Sequence, residues 1–323
     1  MNLGILGTGK IVQEFLPEIG NLKIGYKAIL GTLRSKERVE NLAAQYKLDK
    51  IYFDYDELLA DEKLDTIYVA LPNNLHYEFA KKALLAGKNV IVEKPAVTTV
   101  EEFQDLKKIA AENKKILIEA LTVHYMPAYL SIREDLKQLG DIKIVSMNYS
   151  QYSSRYDAFK QGEILPAFDP KKAGGALMDI NVYNINFVVG LFGKPKSFTY
   201  TANIERGIDT SGVMVLDYEN FKAVCIGAKD CQVLTASTIQ GDKGNIFMEI
   251  PANMIDAYIV NYNNGDGNVQ AFDEDKHRML YEFETFIEMI DSQDFERAEE
   301  MLNISGIVAQ ILQGGREQVG IEI

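Results

Sequence analysis

The feature that most constrains the fold is the alternation of short apolar runs with helical patterns over the first 120 residues. Such alternation is typical of a doubly wound α/β domain, a Rossmann domain, whose strands form a parallel sheet. Thr98 and Glu101 have the spacing of a capping box, and Gly87 follows a helical pattern as a C-terminal glycine. The predicted strands are 3–6, 24–30, 66–70, 90–92 and 116–118, and the predicted helices are 11–19, 37–46, 76–86 and 100–112.

The first predicted strand runs into a glycine turn, and a helical pattern follows it. This arrangement resembles G-x-G-x-x-G/A, in which glycines let the backbone approach a pyrophosphate at the helix N-terminus. Val12 occupies the third glycine position and suggests looser packing of helix on strand, whereas Gly7 and Gly9, which would meet phosphate, are present. In this context we expect a dinucleotide site formed by Gly7, Thr8, Gly9, Lys10 and Ile11.

The end of the second predicted strand bears on the choice of nucleotide. An acidic residue at this point would bind the ribose 2′-hydroxyl of NAD, but no acid occurs before Glu37. Arg34 instead offers a planar fork for the 2′-phosphate of NADP, and the Ser35 hydroxyl can assist it. NADP is therefore preferred and NAD is possible; the alternative is that Arg34 is an ordinary solvated charge at the start of a helix.

A charged pair stands where the strand Val90 to Val92 stops, in the sequence Glu93-Lys94-Pro95. Ligands of open α/β sheets bind at the carboxyl ends of the strands. Lys94 is accordingly either a cation directed into a cleft and fixed by Pro95, or a solvated lysine at a strand end.

Composition excludes several functional classes. The net charge of −13 disfavours nucleic-acid binding. The two cysteines and three histidines have no zinc-ligand spacing, so no metal is expected. We see no basic leader and no stretch that approaches the roughly 18 apolar residues of a membrane span, and we therefore expect a cytoplasmic protein that binds no membrane.

After residue 127 the pattern changes to a helix reaching about residue 139 and then to long strand-like runs joined by turn signals. We expect an α+β domain with a large, mostly antiparallel open sheet. The runs Val213 to Leu216 and Ala223 to Ile226 do not alternate polar with apolar residues, which predicts that both sheet faces are covered. We therefore expect helices on one face and a second subunit on the other, in a homodimer or higher homo-oligomer.

Several motifs together resemble the Gfo/Idh/MocA family of NAD(P)-dependent oxidoreductases, in particular the branch of glucose–fructose oxidoreductase and dimeric dihydrodiol dehydrogenase. They are the glycine turn, the run from Leu71 to His76, Glu93-Lys94-Pro95, Glu119-Ala120 with Pro127, and the run from Gly174 to Tyr183. The resemblance implies a dinucleotide-binding domain over residues 1–119 and a substrate-binding and oligomerisation domain over 120–323. It also implies that Lys94 is catalytic, that Tyr183 is the second catalytic residue, and that Leu71, Pro72, Asn73, His76, Glu93 and Lys94 line the cofactor.

The predicted chemistry is hydride transfer between nicotinamide and a sugar, polyol or related hydroxy or carbonyl compound. Tyr183 can exchange the proton of the substrate oxygen, and Lys94 would lower the phenol pKa and stabilise that oxygen. Asp179, four residues before Tyr183 on a predicted helix, would orient the pair; the alternative is a buried tyrosine that merely bonds to Asp179. A non-catalytic NADP-binding sensor on the same fold is the alternative function.

A diol substrate is not carried over from the family. The tryptophan and arginine of the dihydrodiol dehydrogenase motif are replaced by Thr122 and His124. His124 is either a second proton donor or a packed residue at a domain junction.

Overall fold

The computed structural model of the protein describes residues 1–272 and 276–322. The chain divides into two compact units. The first comprises Met1–Ala120 and His277–Gly306, and the second comprises Leu121–Lys276 and Ile307–Ile323. The expected division after residue 119 assigned residues 277–306 to the second domain, whereas their contacts place them in the first unit.

The first unit is built on a six-stranded sheet in which every pair is parallel. Its strands are β1 (Leu3–Leu6), β2 (Lys27–Leu30), β3 (Lys50–Tyr52), β4 (Thr66–Val69), β5 (Asn89–Glu93) and β6 (Leu117–Ala120). The order β3-β2-β1-β4-β5-β6 reverses between β1 and β4, where ligands of doubly wound sheets bind. The predicted parallel sheet is confirmed; β3 was missed because three residues are too short to show a period.

Five helices alternate with these strands along the chain. They are α1 (Lys10–Phe15), α2 (Lys36–Tyr46), α3 (Tyr55–Leu59), α4 (His76–Leu85) and α5 (Val100–Glu112). The capping box of α5 is formed by Thr99 and Glu102, one residue later than predicted. Thr98 lies outside the helix, where its hydroxyl and N–H both donate to the Glu102 carboxylate. Gly87 follows α4 with φ +74°, as expected of a C-terminal glycine.

The second unit contains an eight-stranded sheet with the order β14-β13-β12-β11-β7-β10-β9-β8. Only β7 and β10 pair in parallel among the described strands of this sheet. The predicted large, mostly antiparallel sheet is therefore confirmed. The strands are β7 (Ile142–Ser150), β8 (Ser197–Glu205), β9 (Ile208–Asp217), β10 (Lys222–Ala228), β11 (Ser237–Gly241), β12 (Gly244–Met248), β13 (Ala257–Tyr262) and β14 (Gly267–Ala271).

One face of this sheet is covered by helix. The helices in this part of the chain are α6 (Pro127–Asp135), α7 (Tyr156–Lys160) and α8 (Val182–Phe192), with a π-helical turn at Leu177–Asn181 before α8. Asn181 and Asn184 donate to the carbonyl oxygens of Cys225 and Ile226, at 3.0 and 2.9 Å. A Cβ atom on Gly227 would lie 2.6 Å from Cβ of Asn181, so glycine permits this close approach.

The other face of the same sheet carries partly exposed apolar side chains. Met214, Leu216, Ala223 and Cys225 are fully buried, while the alternate residues on β9 and β10 are only half-buried. Strand register aligns one row of side chains across seven strands: Val215, Val224, Ser146, Thr238, Phe247, Ile259 and Val269.

The last two helices are α9 (Arg278–Ser292) and α10 (Phe295–Gln318). The apolar stripe predicted on α9 is buried. Phe283 stacks on Phe15 at 4.1 Å between ring centroids and meets Tyr68 edge-on at 5.1 Å. These aromatic contacts explain why α9 belongs to the first unit.

One segment of the described chain, Pro170–Phe192, is long and apolar enough to cross a membrane by length and composition. From the sequence, no stretch approaching a membrane span was expected. Because 72% of its most apolar window is buried inside the protein, it has the character of a core helix.

Candidate active site

The glycine turn joins β1 to α1 where the strand order of the first sheet reverses. Gly7 has φ +104°, and a Cβ atom on it would lie 2.6 Å from the carbonyl oxygen of Ala70, so only glycine fits. Gly9 is the N-cap of α1, and no heavy atom lies within 4 Å of where its Cβ would be. The turn containing Thr8, Lys10 and Ile11 thus leaves open backbone at a helix N-terminus, which suits a phosphate.

The segment after β2 forms a capped turn around Arg34. The Ser35 hydroxyl donates to the carbonyl of Thr32 and accepts from its N–H, both at 3.0 Å. Arg34 is exposed and pairs with no residue in the described ranges. The guanidinium is therefore available for a 2′-phosphate. The Ser35 hydroxyl already forms hydrogen bonds within the turn.

His76 links the ends of two neighbouring strands. Its Nδ1 lies 2.9 Å from the carbonyl oxygen of Pro95, and its Nε2 lies 2.7 Å from that of Leu71. The side chain is fully buried, and burial lowers its pKa below the usual value. A neutral ring donates to one carbonyl at a time. His76 thus supports the loop that contains Pro72 and Asn73. Its expected contact with the cofactor stays a prediction.

Two buried carboxyl groups hold the backbone around Lys94. The Lys94 N–H donates to Glu93 at 3.2 Å, and the Ala96 N–H donates to Glu119 at 2.8 Å. The peptide between Lys94 and Pro95 is cis. Lys94 itself is half-buried. Its main chain is therefore fixed on both sides of the turn, which restricts where the ammonium group can reach.

Burial raises the pKa of both carboxyl groups, and Lys94 opposes this effect in each. For Glu93 the Tyr68 hydroxyl also lowers the pKa, and for Glu119 the Ser305 hydroxyl and the Ala96 N–H do so. Glu119, which sequence reasoning named only as part of a motif, thus belongs to the surroundings of Lys94.

Two buried polar side chains, Tyr68 and Glu282, interact with Glu93, and the sequence did not reveal them. The Tyr68 hydroxyl donates to Glu93 at 2.5 Å. Glu282, on α9, is only 2% exposed, and its Oε2 has no partner among the described residues. Burial and the charge of Glu93 raise the pKa of Glu282 well above its ordinary value.

In the second unit, Asp179 lies in the π-helical turn, and Tyr183 lies in the first turn of α8. The prediction that Asp179 and Tyr183 share one face assumed a regular α-helix, in which residues four apart are neighbours. The π turn widens the helix at Asp179, so that the spacing rule does not apply there. Single π turns are frequent at functional sites.

Asp179 pairs with a lysine that the sequence analysis did not single out. Its Oδ2 lies 2.8 Å from Nζ of Lys229, with side chains 40% and 3% exposed respectively. Tyr183 is 9% exposed, and its ring centroid lies 6.2 Å from that of Tyr149.

The start of the π turn is held by Asp209, which is almost completely buried. Its carboxylate accepts from the Leu177 N–H at 2.6 Å and from the Tyr200 hydroxyl at 2.7 Å. Burial raises the pKa of Asp209 to about 6, against the opposing effect of these hydrogen bonds. No motif marks Asp209, because it reaches the site only through the pairing of β9.

His124 is a buried residue of the second unit, and burial lowers its pKa to about 4. Its ring meets Tyr129 edge-on at 5.4 Å. A Cβ atom on Gly190 would lie 2.5 Å from its Cε1 atom, so glycine makes room for the imidazole. This environment favours the interpretation of His124 as a packed residue over that of a second proton donor.

In residues 1–272 and 276–322, no three His, Cys, Asp or Glu side chains are grouped so that they could hold a metal ion. Cys225 is buried and Cys231 is exposed, and both are free thiols.

Comparison with family models gives two matches. Residues 1–121 match the oxidoreductase family with an NAD-binding Rossmann fold, and residues 134–247 match the GFO/IDH/MocA C-terminal domain.

Two bacterial proteins resemble almost the whole chain. The scyllo-inositol 2-dehydrogenase (NADP(+)) IolU of Bacillus subtilis (strain 168) is 31% identical over 322 residues, which cover 99% of this chain and 98% of that protein. The uncharacterized oxidoreductase YgjR of Escherichia coli (strain K12) is 30% identical and covers 99% and 97% of the two chains. Among solved structures, a 3-ketoreductase from Actinomadura kijaniata in complex with TDP-benzene and NADP has a TM-score of 0.80 at 20% identity, covering 95% of each chain, which shows the shared fold.

Proposed function

This chain belongs to the Gfo/Idh/MocA oxidoreductases. We infer that it is an NAD(P)-dependent enzyme that transfers a hydride to or from hydroxy or carbonyl compounds. We propose that its cofactor is NADP and that its substrate is a polyol or a sugar. The relative named as an NADP-dependent inositol dehydrogenase supports both choices. The exposed Arg34, which has no partner among the described residues, supports NADP independently.

The observation that carries the proposal is the support around Lys94. Buried Glu93 and Glu119 bind the N–H groups on both sides of its turn, and buried His76 contacts the Pro95 carbonyl. Burying charged groups is costly, so such an arrangement is expected where one side chain must be held in place for function.

Bound NADP would supply or accept a hydride, held by the glycine turn and Arg34. Tyr183 would give its hydroxyl proton to the substrate oxygen during reduction and take it back during oxidation. Lys94 would stabilise negative charge on that oxygen and favour the ionised phenol. Asp179 would accept a hydrogen bond from a substrate hydroxyl.

The alternative of a non-catalytic sensor lacks this support, since a sensor needs neither Lys94 nor Tyr183. The test is to follow NADPH oxidation with ketoses, inosose-type ketones, aldoses and dicarbonyls, and NADP⁺ reduction with inositols and aldoses. We expect turnover with at least one polyol or its ketone, and a preference for NADP over NAD. Tight NADPH binding with no turnover across the whole panel would favour the sensor.

We also propose that the second unit binds substrate and mediates self-association, in a soluble cytoplasmic enzyme. The support for association is the partly exposed row on the open sheet face, in which Phe247, Ile259 and Val269 follow one another on neighbouring strands. Val269 is 68% exposed and Ile144, on the same sheet, is 41% exposed. Apolar sheet faces of this kind are typical of protein interfaces.

Sedimentation of the full chain tests this proposal. We expect a dimer or higher oligomer at micromolar concentration, and a monomer for Val224→Glu, which places a charge within the row. A monomeric wild-type protein would contradict it.

A further inference from the structure

A buried lysine, Lys229, lies next to the half-exposed carboxylate of Asp179. Its main chain is fixed on both sides, because its N–H donates to the Thr210 carbonyl at 2.8 Å and its carbonyl accepts from the Ser153 N–H at 2.9 Å. The side chain is 3% exposed. The side chain of Lys229 can therefore adopt few other positions.

The ammonium group of Lys229 has three neighbours, two oxygen acceptors and one aromatic ring. It forms an ion pair with Asp179 at 2.8 Å and donates to the carbonyl of Ala167. It also lies 4.4 Å from the centre of the Phe168 ring, a cation–π distance.

The Ala167 carbonyl connects Lys229 to the turn that precedes Asp179. The same oxygen accepts from the N–H of Gly175 at 3.1 Å. A Cβ atom on Gly174 would lie 2.9 Å from the Ala167 carbonyl carbon, so the glycine pair allows this approach. Lys229 thus fixes both the backbone before the π turn and the carboxylate within it.

The exposed pair Lys222–Asp217, at 2.6 Å, provides a contrast within the same sheet. Its side chains are 50% and 40% exposed, and pairs of this type contribute little. A lysine taken almost wholly out of water loses hydration that the ion pair must replace. Such a loss of hydration is expected where the position of the carboxylate matters for function.

We propose that Lys229 is a positioning residue for Asp179 in the reaction, an inference that rests on the proposed function. The ammonium holds the Asp179 carboxylate in place in the π turn, and the 40% exposed side chain would accept there from substrate hydroxyls. Lys229 itself does not touch the substrate.

The first test compares Lys229→Met with Lys222→Met, which removes the lysine of the exposed Lys222–Asp217 pair. Methionine keeps most of the apolar stem and removes the charge. We expect kcat/KM of Lys229→Met to fall between about 10-fold and 100-fold, as for a misplaced polar group near a reacting centre. The Kd for NADPH should stay within about twofold in both variants, and Lys222→Met should keep wild-type turnover. Wild-type kcat and KM in Lys229→Met would overturn the proposal.

A double-mutant cycle with Asp179→Asn separates positioning from general support of the fold. If Lys229 acts through Asp179, the double variant loses no more activity than Asp179→Asn alone. Losses that multiply would overturn the proposal. The double variant also carries no unpaired charge, so it keeps the test available where Lys229→Met alone folds poorly.

A readout that needs no activity is the ¹³C carboxyl titration of Asp179, assigned with Asp179→Asn. Removing the neighbouring cation should raise the Asp179 pKa by about one or more. Asp209 also faces Lys229, and its signal is identified with Asp209→Asn. If Lys229→Met raises the Asp179 pKa but the wild type turns over no substrate, the proposed function is refuted and the pairing stands. If Lys229→Met leaves the Asp179 pKa unchanged, the positioning role is refuted.

Discussion

Replacing Asp209 by Asn should remove a pH dependence of stability that the buried carboxyl creates. The pKa of Asp209 is raised from its ordinary 3.8 to about 6, chiefly by burial. The folded chain therefore binds this proton more tightly than the unfolded chain does. The resulting stabilisation is complete below pH 3.8 and is lost as the pH rises through about 6.

The size of the effect follows from the same pKa values. At 1.36 kcal/mol per pH unit, the difference between 3.8 and about 6 corresponds to about 3 kcal/mol. Asparagine has nearly the same shape, and its carbonyl oxygen can still accept from the Leu177 N–H. All other titrating groups are common to both proteins, so their contributions cancel in the comparison.

Urea unfolding of wild type and Asp209→Asn between pH 4 and pH 7.5 measures this difference. We expect the free energy of unfolding of the wild type to fall relative to that of the variant by up to about 3 kcal/mol as the pH rises. Parallel curves for the two proteins across this range would refute the reasoning, because they would show that Asp209 has an ordinary pKa.

Three further outcomes are expected. Tyr183→Phe should lower kcat by on the order of 10² or more while NADPH affinity is retained, as for loss of a general acid–base group; unchanged turnover would remove Tyr183 from the reaction. Arg34→Ala should weaken NADPH binding by about 10-fold or more and leave NADH binding unchanged, because a charge-assisted bond to the 2′-phosphate is lost; equal effects on both nucleotides would contradict this role. Gly7→Ala should lower the melting temperature and abolish cofactor binding, since its Cβ would lie 2.6 Å from the Ala70 carbonyl oxygen; a wild-type melting temperature would count against it.

Much of the first unit could be predicted because its signals are local. The strand Val90 to Val92 is fully buried, as its β-branched composition indicates. The glycine turn is equally local, since Gly7 needs a positive φ and has a carbonyl beside it. The capping box was misplaced by one residue because Thr98 and Thr99 are both good caps, and backbone geometry alone decides between them.

The supports of the candidate site could not be predicted, because they come from distant parts of the chain. Asp209 reaches Leu177 across 32 positions, and Lys229 reaches Ala167 across 62. Neither residue belongs to a motif, and each acts only through the pairing of β9 and β10. The π turn at Asp179 also leaves no periodic signal, so the sequence suggested a regular helix.

The central claim, that Lys94 acts on the substrate and does not merely bind cofactor, is tested most directly by measuring turnover and NADPH affinity of Lys94→Met side by side. We predict that turnover falls below detection with the best substrate while the Kd for NADPH changes by less than about tenfold, since a transition-state interaction is lost and the phosphate-binding turn is intact. Full turnover in this variant, or loss of NADPH binding alone, would contradict the account.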